Sequence, residues 1–391
     1  MQALDLPEPC ADEKTHSDKL SQYIQQSIVD AGGWIDFEQY MQLALYAPGL
    51  GYYRAGAQKF GEQGDFITSP EVSPLFAQTL ANPLVVLLNK IPDAKIIEFG
   101  AGSGKLAADL LLALQALNKL PEQYLIIELS AELQQRQKET LQQKAPQLLE
   151  RVQWINGFPE KTLNVIVIAN EVLDAMPVQR FAINNNEVKV LGVEFKNDAF
   201  HLSYRTSGKE FSEKVLALNE NFNSVEHSYY SEFNGNISPW IKSISQCINK
   251  GAIYLIDYGY PRSEYYSQDR YMGTFLGYYK HRSIDAPLWY PGLQDLTAFV
   301  DFTEVAEAAI EHGFDVDGFT SQGNFLINAG LEQVVENSKV ENEIQRLQLM
   351  QQMKTLSMPG EMGERFKVMG LSKGLDDNIP GFEMRDFRYR L

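Results

Sequence analysis

The chain is short of cysteine, of long apolar runs and of positive charge. Its 391 residues include two cysteines, Cys10 and Cys247. Two distant thiols build neither a disulfide framework nor a cysteine-rich metal centre, which fits a reducing compartment. No stretch reaches the roughly 18 apolar residues needed to span a bilayer. The first residues lack the apolar core of a signal peptide. They do not read as a mitochondrial presequence either, because Asp5, Glu8, Asp12 and Glu13 are acidic and the first arginine is Arg54. A cytoplasmic protein without membrane insertion is expected. Lysine and arginine number 34 against 51 aspartates and glutamates, giving a net charge of −17. Such a surface repels nucleic acid phosphates and anionic lipid, and it favours a basic partner. The five histidines form no ligand set, and His281 stands alone in a tyrosine-rich run, so no metal is expected. Neither G-x-S-x-G nor H-E-x-x-H occurs, which leaves serine-hydrolase and zinc-protease chemistry without an anchor.

Against these absences stands one informative segment, residues 95–105, Lys-Ile-Ile-Glu-Phe-Gly-Ala-Gly-Ser-Gly-Lys. It reads as a buried strand, a turn carrying Gly100, Gly102 and Gly104, and an apolar helix from Leu106 to Leu117. Strand, tight glycine turn and helix make the cofactor corner of a Rossmann-like sheet. A dinucleotide fingerprint needs glycine at 105, where Lys105 stands. A P-loop needs glycine at 99 and Ser or Thr at 106, where Phe99 and Leu106 stand. The remaining pattern, E-x-G-x-G-x-G, places Glu98 two residues before the first glycine. It suits a ligand with no pyrophosphate and a cationic amino-acid end, such as S-adenosyl-L-methionine (SAM). The glycines let backbone approach the ligand, and the carboxylate can face an ammonium or sulfonium.

The rest of the chain follows a βαβ rhythm as far as Pro177. Residues 1–16 read as a frayed terminus. A helix is expected from Ser17 or Asp18 to about Ala31, another from about Asp36 to Tyr46, and a third from Pro70 or Pro74 to Leu88. Strands are expected at Lys95–Phe99, Tyr124–Glu128, Val152–Ile155, Val165–Ala169 and Ala252–Asp257. From Arg180 to Arg205 the alternation is that of antiparallel hairpins about Asn184-Asn185-Asn186, so residues 180–235 read as a β-rich insertion. Residues 258–298 read as a long loop, and Leu331–Leu356 as one amphipathic helix. The implied organisation is an N-terminal helical segment and lid over residues 1–90, followed by a SAM-binding α/β domain over 91–391.

Several residues carry candidate chemistry. Glu128 ends the second strand, where an acid accepts hydrogen bonds from ribose hydroxyls. Asn170 and Glu171 follow the fourth strand and lie near any transferred methyl, since ligands of open α/β sheets sit beyond the strand ends. Glu171 and Asp174 are three apart, so one helical turn would put both on one face. Paired carboxylates suit a guanidinium, which stays charged and offers planar, forked donors; Asp174 also reads as a brace for the turn before Pro177. Asp257 reads equally as a structural acceptor and as a base. The segment Phe60–Glu71 ends in a helix-capping run, Thr68-Ser69-Pro70-Glu71, yet nothing in a cap requires the preceding Gly64-Asp65-Phe66. It is expected to close over the cofactor, with Asp65, Thr68 and Ser69 near SAM.

Separate segments also resemble one family. They include Gly51-Tyr52-Tyr53, Gly64-Asp65-Phe66-Ile67-Thr68-Ser69-Pro70-Glu71, Glu98–Gly104, Asn170-Glu171 with Asp174-Ala175, Asp257-Tyr258-Gly259, Gly273-Thr274 and Asp295-Leu296-Thr297. The chain resembles the MidA family, whose mitochondrial branch is the complex I assembly factor 7 group, over about residues 17–371. The resemblance implies a class I SAM-dependent methyltransferase fold, with a seven-stranded sheet whose last strand is antiparallel. It also implies methylation of a protein arginine, which in the mitochondrial branch belongs to a complex I subunit of the quinone arm. Without a presequence, a bacterial-type member is expected. The competing readings are a small-molecule methyltransferase and a SAM-binding assembly chaperone that does no chemistry.

Overall fold

Short apolar strands flanked by helices bury both faces only by pairing side by side. In the computed structural model, which describes residues 6–54, 68–219, 222 and 228–391, this is what they do. Seven strands, β1 Lys95–Phe99, β2 Tyr124–Ile127, β3 Val152–Ile155, β4 Leu163–Asn170, β5 Ile248–Tyr260, β6 Asp315–Ser321 and β7 Phe366–Lys373, lie in the order β6-β7-β5-β4-β1-β2-β3. Strands β1 to β5 are mutually parallel, and β7 runs antiparallel to both of its neighbours, β5 and β6. A two-residue strand, Val300–Asp301, pairs with the end of β5. The chain builds outward from β1 through β2 to β3, then returns to the other side of β1 as β4. That reversal opens a crevice beyond the carboxyl ends of β1 and β4. Register brings Phe99 opposite Ala169, and Asn170 opposite Ile256.

Each helix is placed by its cap and its apolar stripe. Helix α1, Pro74–Lys90, starts where the Ser73 hydroxyl accepts the Leu75 N–H. Helix α2, Lys105–Ala116, starts at Gly104 with no side-chain cap and buries Leu106, Ala107, Leu110, Leu111 and Leu114. Helix α3, Ala131–Lys144, is capped by Ser130 and is polar except for an inward stripe of Gln137 and Leu141. Helices α4, Ile237–Cys247, and α5, Phe302–Glu311, follow, the latter capped by the Asp301 carboxylate. All of these belong to one unit, Ile67–Asp174, Ile237–Arg262 and Val300–Leu391.

The second unit gathers the described residues of Met1–Phe66 with Ala175–Asn236 and Ser263–Phe299. Its five-stranded antiparallel sheet contains Gln179–Asn184, Glu187–Lys196 and Ala199–Thr206. The hairpin expected at the asparagine run is present, with Asn185 and Asn186 at φ 49 and 64. Asn197 and Asp198 repeat the device at φ 49 and 59. Two successive positive φ angles give the turn whose twist matches paired strands. Helices Ala11–Asp30 and Phe37–Tyr46 supply Leu20, Ile24, Phe37, Tyr40 and Met41 to a core that also holds Leu191 and Val193.

Four expectations are corrected. The first helix begins at Ala11, not at residue 17 or 18, because Glu13 reaches back to the Cys10 N–H at 2.6 Å and forms a starting cap. The presumed loop 258–298 contains a three-stranded sheet, Leu276–Tyr279, Arg282–Ile284 and Asp295–Thr297. Its strands are too short to show a period in sequence. The helix expected over 331–356 is two helices, Leu331–Asn337 and Glu343–Ser357, the second restarting at an Asn342 cap. Glu171 and Asp174 do not share a helical turn, since Glu171 has φ +56.

Candidate functional site

The site begins at the glycine turn. Gly100, Gly102 and Gly104 all have positive φ, at 60, 51 and 81. A side chain there is strained whatever space surrounds it. At Gly104 a Cβ would also meet the Gln137 Cα at 2.8 Å, so this glycine lets α3 approach the turn. At Gly102 nothing among the described residues lies within 4 Å of a Cβ position, which leaves that face of the backbone open to them. A cradle of this shape fits a ligand laid against the main chain.

The far wall is Glu128. It is 8% exposed. One carboxylate oxygen accepts the Ser130 N–H at 2.8 Å, and the other accepts the Gln137 amide at 3.2 Å. Gln137 is the hub, and sequence reading missed it. Its amide also reaches the Gly102 carbonyl at 3.1 Å, and its own carbonyl accepts the Trp154 indole N–H at 2.8 Å. One helical turn on, the Thr140 hydroxyl donates to the Ser103 carbonyl at 2.7 Å. The single available signal was an amide inside the buried stripe of a polar helix. Beside Glu128, Leu129 is half exposed, and Phe158 packs on Phe99 with ring centres 5.6 Å apart.

The third part is the end of β4. Asn170 donates to a Glu171 carboxylate oxygen at 3.1 Å, while its own carbonyl oxygen is buried with no hydrogen-bond partner among the described residues. The Glu171 N–H is fixed to the Ile256 carbonyl at 2.9 Å. The next three backbone N–H groups, of Val172, Leu173 and Asp174, converge on one oxygen of Asp257 at 3.2, 2.9 and 3.3 Å. The other oxygen takes the Tyr258 N–H at 2.8 Å. Burial pushes the Asp257 carboxyl up to about 7, against the opposing pull of these four donors. Asp174 is buried as well, and its N–H is one of the groups held. Gly100 lies against this segment: its Cβ position is 3.8 Å from the Val172 side chain. Glycine turn and strand-four turn are therefore neighbours.

The remaining candidates make contacts of their own. Glu98 is inside the sheet, accepting the Tyr124 hydroxyl at 2.7 Å. Burial pushes it up to about 7, with the tyrosine bond pulling the other way. Ser69 is fully buried and donates to Gln322 at 2.9 Å. Thr68 starts a short helix without a side-chain cap bond, and that helix contributes Glu71, which accepts the Ser103 hydroxyl beside Gly102 and Gly104. Asp65 and most of the expected lid lie outside the described residues. Among the described residues, no group of three His, Cys, Asp or Glu side chains is arranged to hold a metal ion, and no helix is long and apolar enough to cross a membrane.

A seven-stranded sheet of this order, a glycine cradle after β1 and an acid after β2 define a class I methyltransferase architecture. The comparisons with known proteins agree. The profile of the family described as "Putative S-adenosyl-L-methionine-dependent methyltransferase" matches residues 79–320, and the chain belongs to that family, whose cofactor is SAM. A Burkholderia thailandensis protein, crystallised bound to S-adenosyl-homocysteine, is 39% identical, with a TM-score of 0.94 over 99% of this chain and all of that one. The protein arginine methyltransferase NDUFAF7 of Danio rerio is 27% identical over 88% of this chain and 85% of its own. Its Drosophila melanogaster homologue is 27% identical over 94% and 88%.

Proposed function

We propose that the protein transfers a methyl group from SAM to an arginine of a protein substrate. The observation that carries this reading is a carboxylate, Glu171, held in a left-handed backbone beside the glycine cradle. A non-glycine residue in that region costs roughly 1–2 kcal/mol, and such strain persists where surroundings over-determine it, often at functional sites. The names of the NDUFAF7 relatives support arginine as the target, and the net charge of −17 suits a basic substrate.

The roles divide as follows. SAM supplies an electrophilic methyl on a sulfonium that leaves as a neutral thioether. The Gly100–Gly104 backbone cradles it, Glu128 holds the ribose, and Leu129 and Phe158 flank the base. Glu171 faces the substrate. It pairs with the guanidinium through charge-assisted hydrogen bonds. As the new N–C bond forms, the target nitrogen sheds a proton, which Glu171 accepts and passes to water. Asp257 holds the turn that keeps Glu171 in place, and Asp174 is held within it.

The test is methyl transfer from labelled SAM to a lysate of cells lacking the gene, followed by hydrolysis and amino-acid analysis. Label in methylarginine of a discrete protein is expected, and the quinone-arm subunit implied by the family resemblance is the first to inspect. Label confined to a small molecule or to another amino acid rejects the arginine reading. No transfer at all, with SAM bound, favours an assembly factor.

A further inference from the structure

The Asn170 carbonyl oxygen is a buried acceptor with no donor to it among the described residues. Leaving such a group unmade costs about 1–3 kcal/mol, so it calls for an explanation. Turning the amide over does not help. It would set the carbonyl oxygen against the Glu171 carboxylate, which now receives the NH2 group at 3.1 Å. The Glu171 contact therefore fixes the orientation and aims the acceptor away from it. The backbone cannot swing to relieve it, because Asn170 lies in the last register pair of β4 with β5. The following N–H groups are pinned to Ile256 and Asp257. The residue sits at the carboxyl end of β4, across from the start of the glycine turn.

We propose that this oxygen marks the methyl-transfer point and accepts a hydrogen bond from an N–H group placed there. The inference rests on the methyltransferase reading above and deepens it. Asn170 and Glu171 then act as a pair. Glu171 takes the charge and the proton, whereas Asn170 is neutral, takes no proton, and orients the nitrogen by one N–H. A target carrying no hydrogen on the reacting atom leaves the acceptor unpaired and is disfavoured. That selects primary and secondary nitrogens, and it disfavours a nitrogen once its hydrogens are replaced.

Two ligands test this without a protein substrate. S-adenosyl-homocysteine has no group at the position of the transferred methyl. Sinefungin carries an ammonium there, an N–H donor at the transfer point. Titration calorimetry on the full chain should show sinefungin binding about tenfold or more tighter than S-adenosyl-homocysteine, as expected for a hydrogen bond to a charged group. In Asn170→Ala that preference should fall to within about threefold, with S-adenosyl-homocysteine affinity unchanged. Asn170→Asp, which keeps an acceptor, should retain the preference, and it covers the case in which the alanine variant does not fold. Three results overturn the proposal. The first is sinefungin binding wild type no tighter than S-adenosyl-homocysteine. The second is a preference that survives in Asn170→Ala and vanishes instead in Glu171→Gln, which assigns it to the carboxylate. The third is a joint weakening of both ligands in Asn170→Ala, which makes Asn170 part of the general cofactor wall. If wild type binds neither ligand, the methyltransferase reading itself fails, and this inference with it.

Discussion

Two neighbouring turns at the edge of one sheet adopt the same unusual backbone by opposite means. After β1 the chain enters the left-handed region three times, each time with glycine, at 100, 102 and 104. After β4 it enters once, with glutamate, at 171. Glycine populates that region freely, so the first turn needs little support. Gln137 and Thr140 tie it at two carbonyls. The second turn is strained and needs a clamp, which Asp257 supplies through three consecutive N–H groups. The difference follows from what each turn offers. The first presents backbone, where a side chain would be in the way. The second presents a carboxylate and an amide, and has to keep its side chains.

Breaking the clamp should have the largest effect. Asp257→Ala strands buried N–H groups and should destabilise the fold by about 3–5 kcal/mol, as loss of one partner from a buried charged network does. Denaturant melts would measure it. A loss below about 1 kcal/mol would mean that the turn stands without its clamp. Gly102→Val comes next and should weaken S-adenosyl-homocysteine by roughly a hundredfold, because branched carbons occupy the open face of the cradle. Its melting temperature should also fall, since valine at φ 51 carries about 1–2 kcal/mol of left-handed strain, although among the described residues nothing lies within 4 Å of the added Cβ. Unchanged affinity in a folded variant removes this turn from the cofactor site.

Glu171 sharpens the comparison through two substitutions. Glu171→Ala keeps the strained backbone and loses the carboxylate, so turnover should fall about ten- to hundredfold while SAM affinity holds. Equal losses in both would place Glu171 in the cofactor wall. Glu171→Gly relieves about 1–2 kcal/mol of strain against an entropic cost of about 0.5–1 kcal/mol. It should melt at or slightly above wild type and be equally inactive. A clear loss of stability would show that the left-handed glutamate is not strained.

The last effect is a slope with pH. Burial raises Glu98 from its ordinary 4.5 to about 7 in the folded chain. The folded state then holds a proton that the unfolded state has released, so stability falls as pH rises between these two values. Asp257 adds a contribution of the same sign from 3.8 to about 7. Glu98→Gln should flatten part of that slope, read from melts at pH about 5, 6 and 7.5 across the window that linkage defines. An unaltered slope would assign it to Asp257.

Sequence made the first turn legible because three glycines at alternate positions after an apolar strand have few other uses. The second turn was legible only as polar residues after a strand. Nothing in Asn170-Glu171-Val172-Leu173-Asp174 announces a left-handed glutamate, since that conformation is imposed by a carboxylate more than 80 residues away in the chain. The same holds for Gln137, whose partners Gly102, Glu128 and Trp154 come from two different turns and a strand. Hairpins at Asn185-Asn186 could be read because their cause is local. The three short strands within Ser263–Phe299 could not: Leu276–Tyr279 and Arg282–Ile284 are joined by Lys280-His281, at φ 47 and 63 without the usual turn residues, and Asp295–Thr297 joins from a distance.

By itself the sequence determined the parallel sheet, the glycine cradle, the acid after β2 and the family, because each rests on residues adjacent in the chain whose local preferences agree. The tertiary structure alone decided how each acid is held. Glu98, Asp257 and Glu171 look alike in sequence, each an acid at or near a strand end. Burial beside Tyr124 makes the first a core residue, and four backbone donors make the second a clamp. The third keeps its carboxylate beside Asn170 because the clamp holds its backbone where glycine would otherwise be required. Hydrogen-bond partners and desolvation set these roles, and both depend on what the fold brings close.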